Sequence, residues 1–562
     1  MAGNILTPVA IWGGFKTDVI PECTVIDKKD EGNLSVIRAY IDGRMVKNQR
    51  VKIFVTITKS IKDTTMPAVV LVQDFFVGYD EKLAKDLAEK GYVAVSVDIA
   101  GKDAGQEYYT EYPDIINYAN YQSVKDELYT VKKDVVQTCW YEWGCAIRYV
   151  IEYLKSQSKI TSIGGLGFSE SSTALWHVAG FDKSLSCVAF AMNAGWIGYR
   201  GIYKYGGQVE PQFSDNAYKF LAGVEPQAYA THVKCPTLVL SATNSNEFDC
   251  DRVCDTLSRI DKDVYTAVHY SVGYTDRASG KGYNDVLIFF DEFLKNGGQK
   301  GLPIEPEIKM EFASGKAIVT VNADDKNLKE LCLYVAEGVT DPAKRSWVKL
   351  SKPTTKTEEG YVFEYCPYHE SAIVTAFARV EYKKGFVIGS AVVCKKFKEE
   401  EAVTGYKSKV VYSSRTEGGE SIFTASRQSE VNPFKINLSP EKPVQVLKGP
   451  MDMPGAYSKW GLLTFKINAE KDKPNADAMF MFDCYVKEDN EITVKLISDY
   501  FGNKTEYVAK INVLGGEVWH NVKLEKSKFK TEEGMSLKSY DKVNAIEFNA
   551  NGKWLINNVL WV

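Results

Sequence analysis

The sequence predicts an α/β fold, a mostly parallel sheet with helices on both faces, followed by two all-β sandwich-like domains. Three observations predict it. From Met66 onward apolar strand patterns alternate with helical ones, as in a sheet covered on both sides. Ile163 to Leu166 is apolar and glycine-rich, and Ser171 to Ala179 has the small and apolar residues of a helix lying close on such a strand. Beyond Gly301 helical signals almost vanish and short strands recur. The expected domains are 1–300, 301–400 and 401–562, and a length of 562 residues is too great for one core.

Taken in order, residues 1–60 are β-rich, with strands expected at Thr24–Asp27, Leu34–Ile41 and Arg50–Thr58. Met66–Val72 reads as a central strand. Glu81–Lys90 has helical spacing and Gly91 behind it as a stop. Val135–Ser156 reads as one long helix with aromatics on one side. The last unit is a strand over Val264–Val272, a loop, and a helix over Tyr283–Asn296. Gly301-Leu302-Pro303-Ile304-Glu305-Pro306-Glu307 reads as a short stiff linker. Between 308 and 398 the strand spacing suits a small immunoglobulin-like sandwich. Residues 405–562 read as a second β-domain rich enough in apolar and aromatic residues for its own core.

The stretch that carries chemistry is Gly167-Phe168-Ser169-Glu170-Ser171, which matches G-x-S-x-G except at its last position. That pattern makes a sharp strand-to-helix turn with the serine above the sheet edge. Alone it is a weak motif; the strand before it and the helix after it give it weight. Further blocks stand in order along the chain: Leu6–Trp12, Met66–Val72, Gly91–Asp98, Trp140-Tyr141-x-Trp143 and Cys235–Ser241. With the serine turn among them, the segment from about Leu6 to Leu294 resembles the α/β-hydrolase superfamily, particularly its acetylxylan-esterase-like and dienelactone-hydrolase-like members. The C-terminal segment, mainly Trp519 to Trp561, resembles the galactose-binding-like jelly rolls that accompany carbohydrate-active enzymes.

The resemblance implies four functional parts. Ser169 would be the nucleophile. The oxyanion hole would use the backbone N–H of Glu170 and one from the turn at Asp74-Phe75-Phe76, with Phe75 its central residue; Gln73-Asp74-Phe75 stands where His-Gly-Gly is common. The acid should follow the strand from Thr237 to Ala242, where Glu247 aligns best and Asp249 second. Two solvated acidic loop residues would look the same. The base should lie in Gly273-Tyr274-Thr275-Asp276-Arg277, and no histidine is there. Of the 5 histidines, His177 lies about two turns down the helix after the serine, roughly 12 Å of rise away. His232 precedes a strand at its far end, and His369 and His520 belong to the β-domains. His269 alone is near in sequence, yet it should lie inside its strand, where a hydrogen-bonded structural histidine is the plainer expectation. Tyr274 or Thr275 fills the slot, and neither is a good acceptor for a serine proton at neutral pH.

Other classes are disfavoured. Net charge is −4, from 69 basic and 73 acidic residues, so nothing points to nucleic acid or an anionic membrane. No apolar run is long enough to span a bilayer, and no signal peptide is visible. The 11 cysteines are scattered, and Cys250-x-x-x-Cys254 has neither zinc nor redox spacing; a reduced, cytoplasmic protein is expected. No metal or cofactor is expected, since Gly164-Gly165-Leu166-Gly167 lacks the lysine of a phosphate loop. Two functional readings follow. The missing histidine favours a catalytically silent relative acting as a binding or assembly scaffold, engaging carbohydrate, an acylated small molecule, a protein partner or its own copies. The alternative is an active serine carboxylic-ester hydrolase that uses Ser169 with a non-standard base.

Overall fold

The computed structural model of the chain describes residues 5–62, 64–75, 78–102, 106–207, 209, 211–245, 247–272, 280–367, 373–396, 410–414, 422–425, 444–469 and 472–562. A nine-stranded sheet holds β1 (Cys23–Glu31), β2 (Leu34–Val46), β3 (Gln49–Ser60), β4 (Met66–Val72), β5 (Val93–Val97), β6 (Ile160–Phe168), β7 (Leu185–Ala191), β8 (Thr237–Ala242) and β9 (Thr266–Ser271). Their order is β1-β2-β3-β5-β4-β6-β7-β8-β9. β1, β2 and β3 pair antiparallel, as does β3 with β5, and every pairing from β5 to β9 is parallel.

The parallel strands are near-continuous apolar runs because both faces are covered. On one face the helix Glu81–Glu89 sets Leu83, Ala84 and Leu87 against Val69, Leu71 and Ala94. Asp80 caps that helix by accepting the N–H of Leu83 at 3.1 Å. On the other face, the helices Cys139–Ser156 and Ser172–Phe181 bring Trp140, Trp143, Ile147 and Trp176 against Val70, Val95 and Val188. The long helix expected from Val135 is interrupted. Val135–Gln137 forms a 3-10 turn capped by Asp134, Thr138 is extended, and the α-helix starts at Cys139. The last helix also changes geometry: it is α over Gly280–Phe290 and π over Asp291–Lys295.

This order creates a crevice. β4 connects outward to β5 on one side and β6 connects to β7 on the other, so their carboxyl ends diverge where they lie side by side. In open α/β sheets such a switch point is where ligands bind.

Residues 307–396 form one four-stranded and one five-stranded antiparallel sheet, and 410–561 form a six-stranded and a five-stranded one. The first pair does not hang from a linker. Met310, Val319, Leu333 and Val380 share one apolar core with Leu71, Leu166, Leu240 and Phe289 of the large sheet and its helix. A fully buried ion pair crosses the same boundary, with Arg345 on both carboxylate oxygens of Asp251 at 2.5 and 2.7 Å. Asn244 Nδ2 donates to the Arg345 carbonyl at 2.7 Å. The second pair of sheets closes on its own core, including Val411, Phe480, Phe482, Phe548, Trp554 and Trp561. Among the described residues no helix is long and apolar enough to cross a membrane.

Candidate functional site

Ser169 follows β6 directly, at the carboxyl end beside β4, and the helix Ser172–Phe181 begins three residues later. Its φ is +49°, a left-handed conformation that costs a non-glycine residue of order 1–2 kcal/mol. Four hydrogen bonds hold it there. Its N–H donates to Ala191 O at 2.8 Å, and its carbonyl accepts from Ser172 N at 3.2 Å, Ser172 Oγ at 2.7 Å and Asn193 Nδ2 at 3.0 Å. The turn is so tight that a Cβ on Gly167 would stand 2.6 Å from Ser172 Cβ. Ser171 replaces the final glycine of the motif without strain: its φ is −59° and its hydroxyl donates to Phe168 O at 2.7 Å. Ser169 is buried, and its Oγ has no hydrogen-bond partner among the described residues.

The two proposed oxyanion residues flank this point. Phe75 sits in the turn after β4, where its ring stacks on Tyr121 at 4.5 Å and packs on Trp143 at 4.8 Å. Glu170 follows Ser169, and its carboxylate accepts from the Tyr129 hydroxyl and from Arg200 at 2.6 Å. Arg200 also holds Glu247 at 2.7 Å and lies over the Tyr129 ring at 5.1 Å. The structure therefore brings Ser169, Glu170 and Glu247 to one edge through an arginine that the sequence motifs did not single out. The available signal was positional: Arg200 lies in the loop after β7, and every loop after a parallel strand reaches this edge. The same loop carries left-handed φ values at Met192 and Trp196, both +64°.

Asp249 is placed otherwise. It caps the helix Cys250–Leu257, accepting from Asp251 N at 2.9 Å and Arg252 Nε at 3.1 Å. Burial, and then the charge of Asp251, push its carboxyl up to about 7.

His269 lies inside β9, in register with Leu240 of β8, which pairs through Ala191 of β7 to Phe168 of β6. It is thus three strands from the elbow, about 14 Å at ordinary strand spacing. Its Nδ1 is 2.5 Å from Asp285 Oδ2, and both side chains are buried. The other oxygen of Asp285 accepts the N–H of Val387, from the neighbouring sheet, at 3.0 Å. His177 is buried on the helix after the elbow, with Nε2 2.7 Å from Val224 O and its ring stacked on Tyr229 at 4.0 Å. Burial lowers its pKa to about 4. His232 precedes β8 at the opposite edge, and His520 opens a strand of the C-terminal sheets. The loop 273–277 and His369 lie outside the described residues.

No family model matches the chain and no curated protein matches it. Solved structures do. An esterase from an Arctic intertidal metagenomic library is 13% identical, with 48% of this chain and 98% of that one covered and a TM-score of 0.34. An acetyl xylan esterase from Thermoanaerobacterium sp. is 11% identical, with 50% and 90% covered and a TM-score of 0.36. An acetyl xylan esterase from Paenibacillus sp. is 11% identical, with 51% and 92% covered and a TM-score of 0.37. The chain is similar, over about half its length, to solved esterases of the α/β-hydrolase superfamily.

Proposed function

We propose that residues 1–300 are an ester-hydrolase-type domain that no longer turns over esters and serves as a binding or assembly scaffold. The observation that carries this reading is that the Ser169 hydroxyl has no hydrogen-bond partner among the described residues. Nucleophilic attack by serine needs a base within hydrogen-bond reach to take its proton. His177 and His269 are each committed to another partner, and the expected loop, Gly273 to Arg277, contains no histidine. Glu170, the nearest carboxylate in sequence, is held by Tyr129 and Arg200. In this reading Glu247 and Asp249 are structural, the sheets of 410–561 make the contact with carbohydrate or a protein partner, and the protein works in the cytoplasm.

One observation favours the alternative, an active serine ester hydrolase. The elbow keeps its left-handed serine, held in that conformation by four hydrogen bonds. A chromogenic acetate ester separates the two, with wild type, Ser169→Ala and His269→Ala compared. The silent reading expects all three to be equally inert, the loss from a missing base being on the order of 10⁴- to 10⁶-fold. Turnover abolished by Ser169→Ala contradicts it. If His269→Ala abolishes turnover as well, the base is His269. Tyr274→His restores the expected residue to the expected loop, and activity gained there would support an otherwise intact site.

A further inference from the structure

A concavity opens at the same sheet edge, against the turn after β4. It measures about 300 Å³ and is lined by Asp74 and Phe75 of that turn, but by neither Ser169 nor Glu170. That volume is at the lower end for small-molecule sites, which run ~300–1,000 Å³. Its floor comes from the sheet register. Arg38 of β2 lies opposite Thr56 of β3, and Thr56 lies opposite Ser96 of β5, so the three project from one face. The next row of that face, with Val69 and Ala94, is apolar and is covered by the helix Glu81–Glu89. At the edge the row turns polar while staying covered: Thr56 is 3% exposed and Ser96 6%.

Two further groups face the same space. Gln73, at the end of β4, is 6% exposed, and its buried Nε2 has no partner. A buried amide N–H is costly to leave so unless something arrives to accept it. Asp98, at the end of β5, accepts the backbone N–H groups of Ala100 at 3.1 Å and Thr110 at 2.6 Å, with the Gly101 N–H and the Thr110 hydroxyl also directed at it. Each oxygen keeps acceptor capacity, and burial raises the carboxyl to about 6. The side wall is aromatic: Phe54 and Tyr108 stack at 5.8 Å with 19° between their planes.

The mixture selects the ligand's chemistry. Asp98 can accept further donors, Glu107 is held by the Tyr108 hydroxyl, and Gln73 Nε2 seeks an acceptor. An organic cation would satisfy the carboxylates and the rings but leave the Gln73 amide unmatched. An anion would face Asp98 and Glu107, with Arg38, the one lining cation among the described residues, already paired to Asp27 at 3.3 Å. A hydroxyl both donates and accepts. We propose that this cleft binds a neutral, hydroxyl-rich ring of about monosaccharide size, with hydroxyls on Gln73, Asp98 and Thr56 and its C–H face on the Phe54–Tyr108 wall. The site is independent of whether Ser169 turns over an ester.

Calorimetric titration of the full chain with a panel of neutral monosaccharides, and with choline and acetate as charged controls, tests this. The expected result is saturable binding of at least one sugar, no binding of either control, and about tenfold weaker binding in both Tyr108→Ala and Asp98→Asn. Tyr108 is only partly buried, so Tyr108→Ala should keep the wild-type melting temperature and remain informative if Asp98→Asn fails to fold. Three results overturn the proposal: no sugar binding up to the solubility limit, binding of choline or acetate in preference to sugars, or sugar binding unchanged in Tyr108→Ala and Thr56→Val, which would locate it elsewhere on the chain.

Discussion

The two ends of the candidate site have been built differently. At the elbow, Ser169 keeps its left-handed backbone, its tight turn over Gly167 and a hydroxyl with no hydrogen-bond partner among the described residues. Along β8 and β9, apart from the exposed Glu247, several charged groups among the described residues are joints to the neighbouring sheets. Asp251 is bonded to Arg345, His269 to Asp285, Asp285 in turn to Val387 N, and Asn244 to the Arg345 carbonyl. The same edge thus carries a strained, uncommitted serine on one side and a set of satisfied, buried polar contacts to the neighbouring sheets on the other. The difference teaches that a strained strand-to-helix turn, fixed by local sterics, can stand beside strands whose described charged groups serve contacts with neighbouring sheets.

The largest effect should come from breaking a joint. Arg345 and Asp251 are both fully buried, so Arg345→Ala leaves an unpaired carboxylate in the interior and should destabilise the fold by about 3–5 kcal/mol. Denaturant unfolding reads this directly. The paired replacement Arg345→Met with Asp251→Leu should recover most of the loss, and failure to do so would mean that the pair does more than satisfy itself. By comparison, the exposed Arg200–Glu247 contact should be worth no more than about 1 kcal/mol in a Glu247→Gln variant.

A pH effect comes next. His177 has its folded pKa lowered to about 4 from an ordinary 6.5, so its contribution to stability is present above 6.5 and is lost as pH falls through 4. The shift corresponds to about 3 kcal/mol. Glu225, which follows Val224, works in the opposite sense. Burial raises it to about 7, so its contribution is present below its ordinary 4.5 and is lost as pH rises through 7. The difference between wild type and His177→Phe isolates the histidine: the gap in stability should shrink steadily from pH 6.5 to 4. A gap that does not change with pH would show that the imidazole protonates freely in the folded state.

The smallest effect tests the elbow. Ser169→Gly relieves the left-handed conformation but raises the entropy of the unfolded chain, so a net stabilisation of up to about 1 kcal/mol is expected. A clear loss of stability would mean that the Ser169 side chain makes contacts that contribute to packing.

Much of the nucleophile side was legible in the sequence, because it is local. Glycines at 164, 165 and 167, small residues at 171 and 172, and an apolar strand and helix on either side dictate the turn from short-range sterics alone. The acid–base side was not, because it depends on contacts between distant segments. Asp251 and Arg345 are 94 positions apart, and His269 meets Asp285 across a strand–helix connection. Arg200 has no motif; its place follows from the β7 loop reaching the shared edge. The cleft with Gln73 and Asp98 escaped for a similar reason, since its floor is assembled from register partners on β2, β3 and β5. The linker-like Gly301–Glu307 suggested separate bodies, and only packing reveals the core that the sheets of 307–396 share with the large sheet.

The central claim is that Ser169 is an unactivated hydroxyl. A fluorophosphonate probe reports this directly, since it phosphonylates serines whose proton is taken by a neighbouring base. Intact-mass measurement of the full chain after exposure at neutral pH should show no adduct in wild type, and the same null result in Ser169→Ala. An adduct in wild type that is absent from Ser169→Ala would contradict the account and establish a working nucleophile, and its loss or survival in His269→Ala would then say whether His269 is the base.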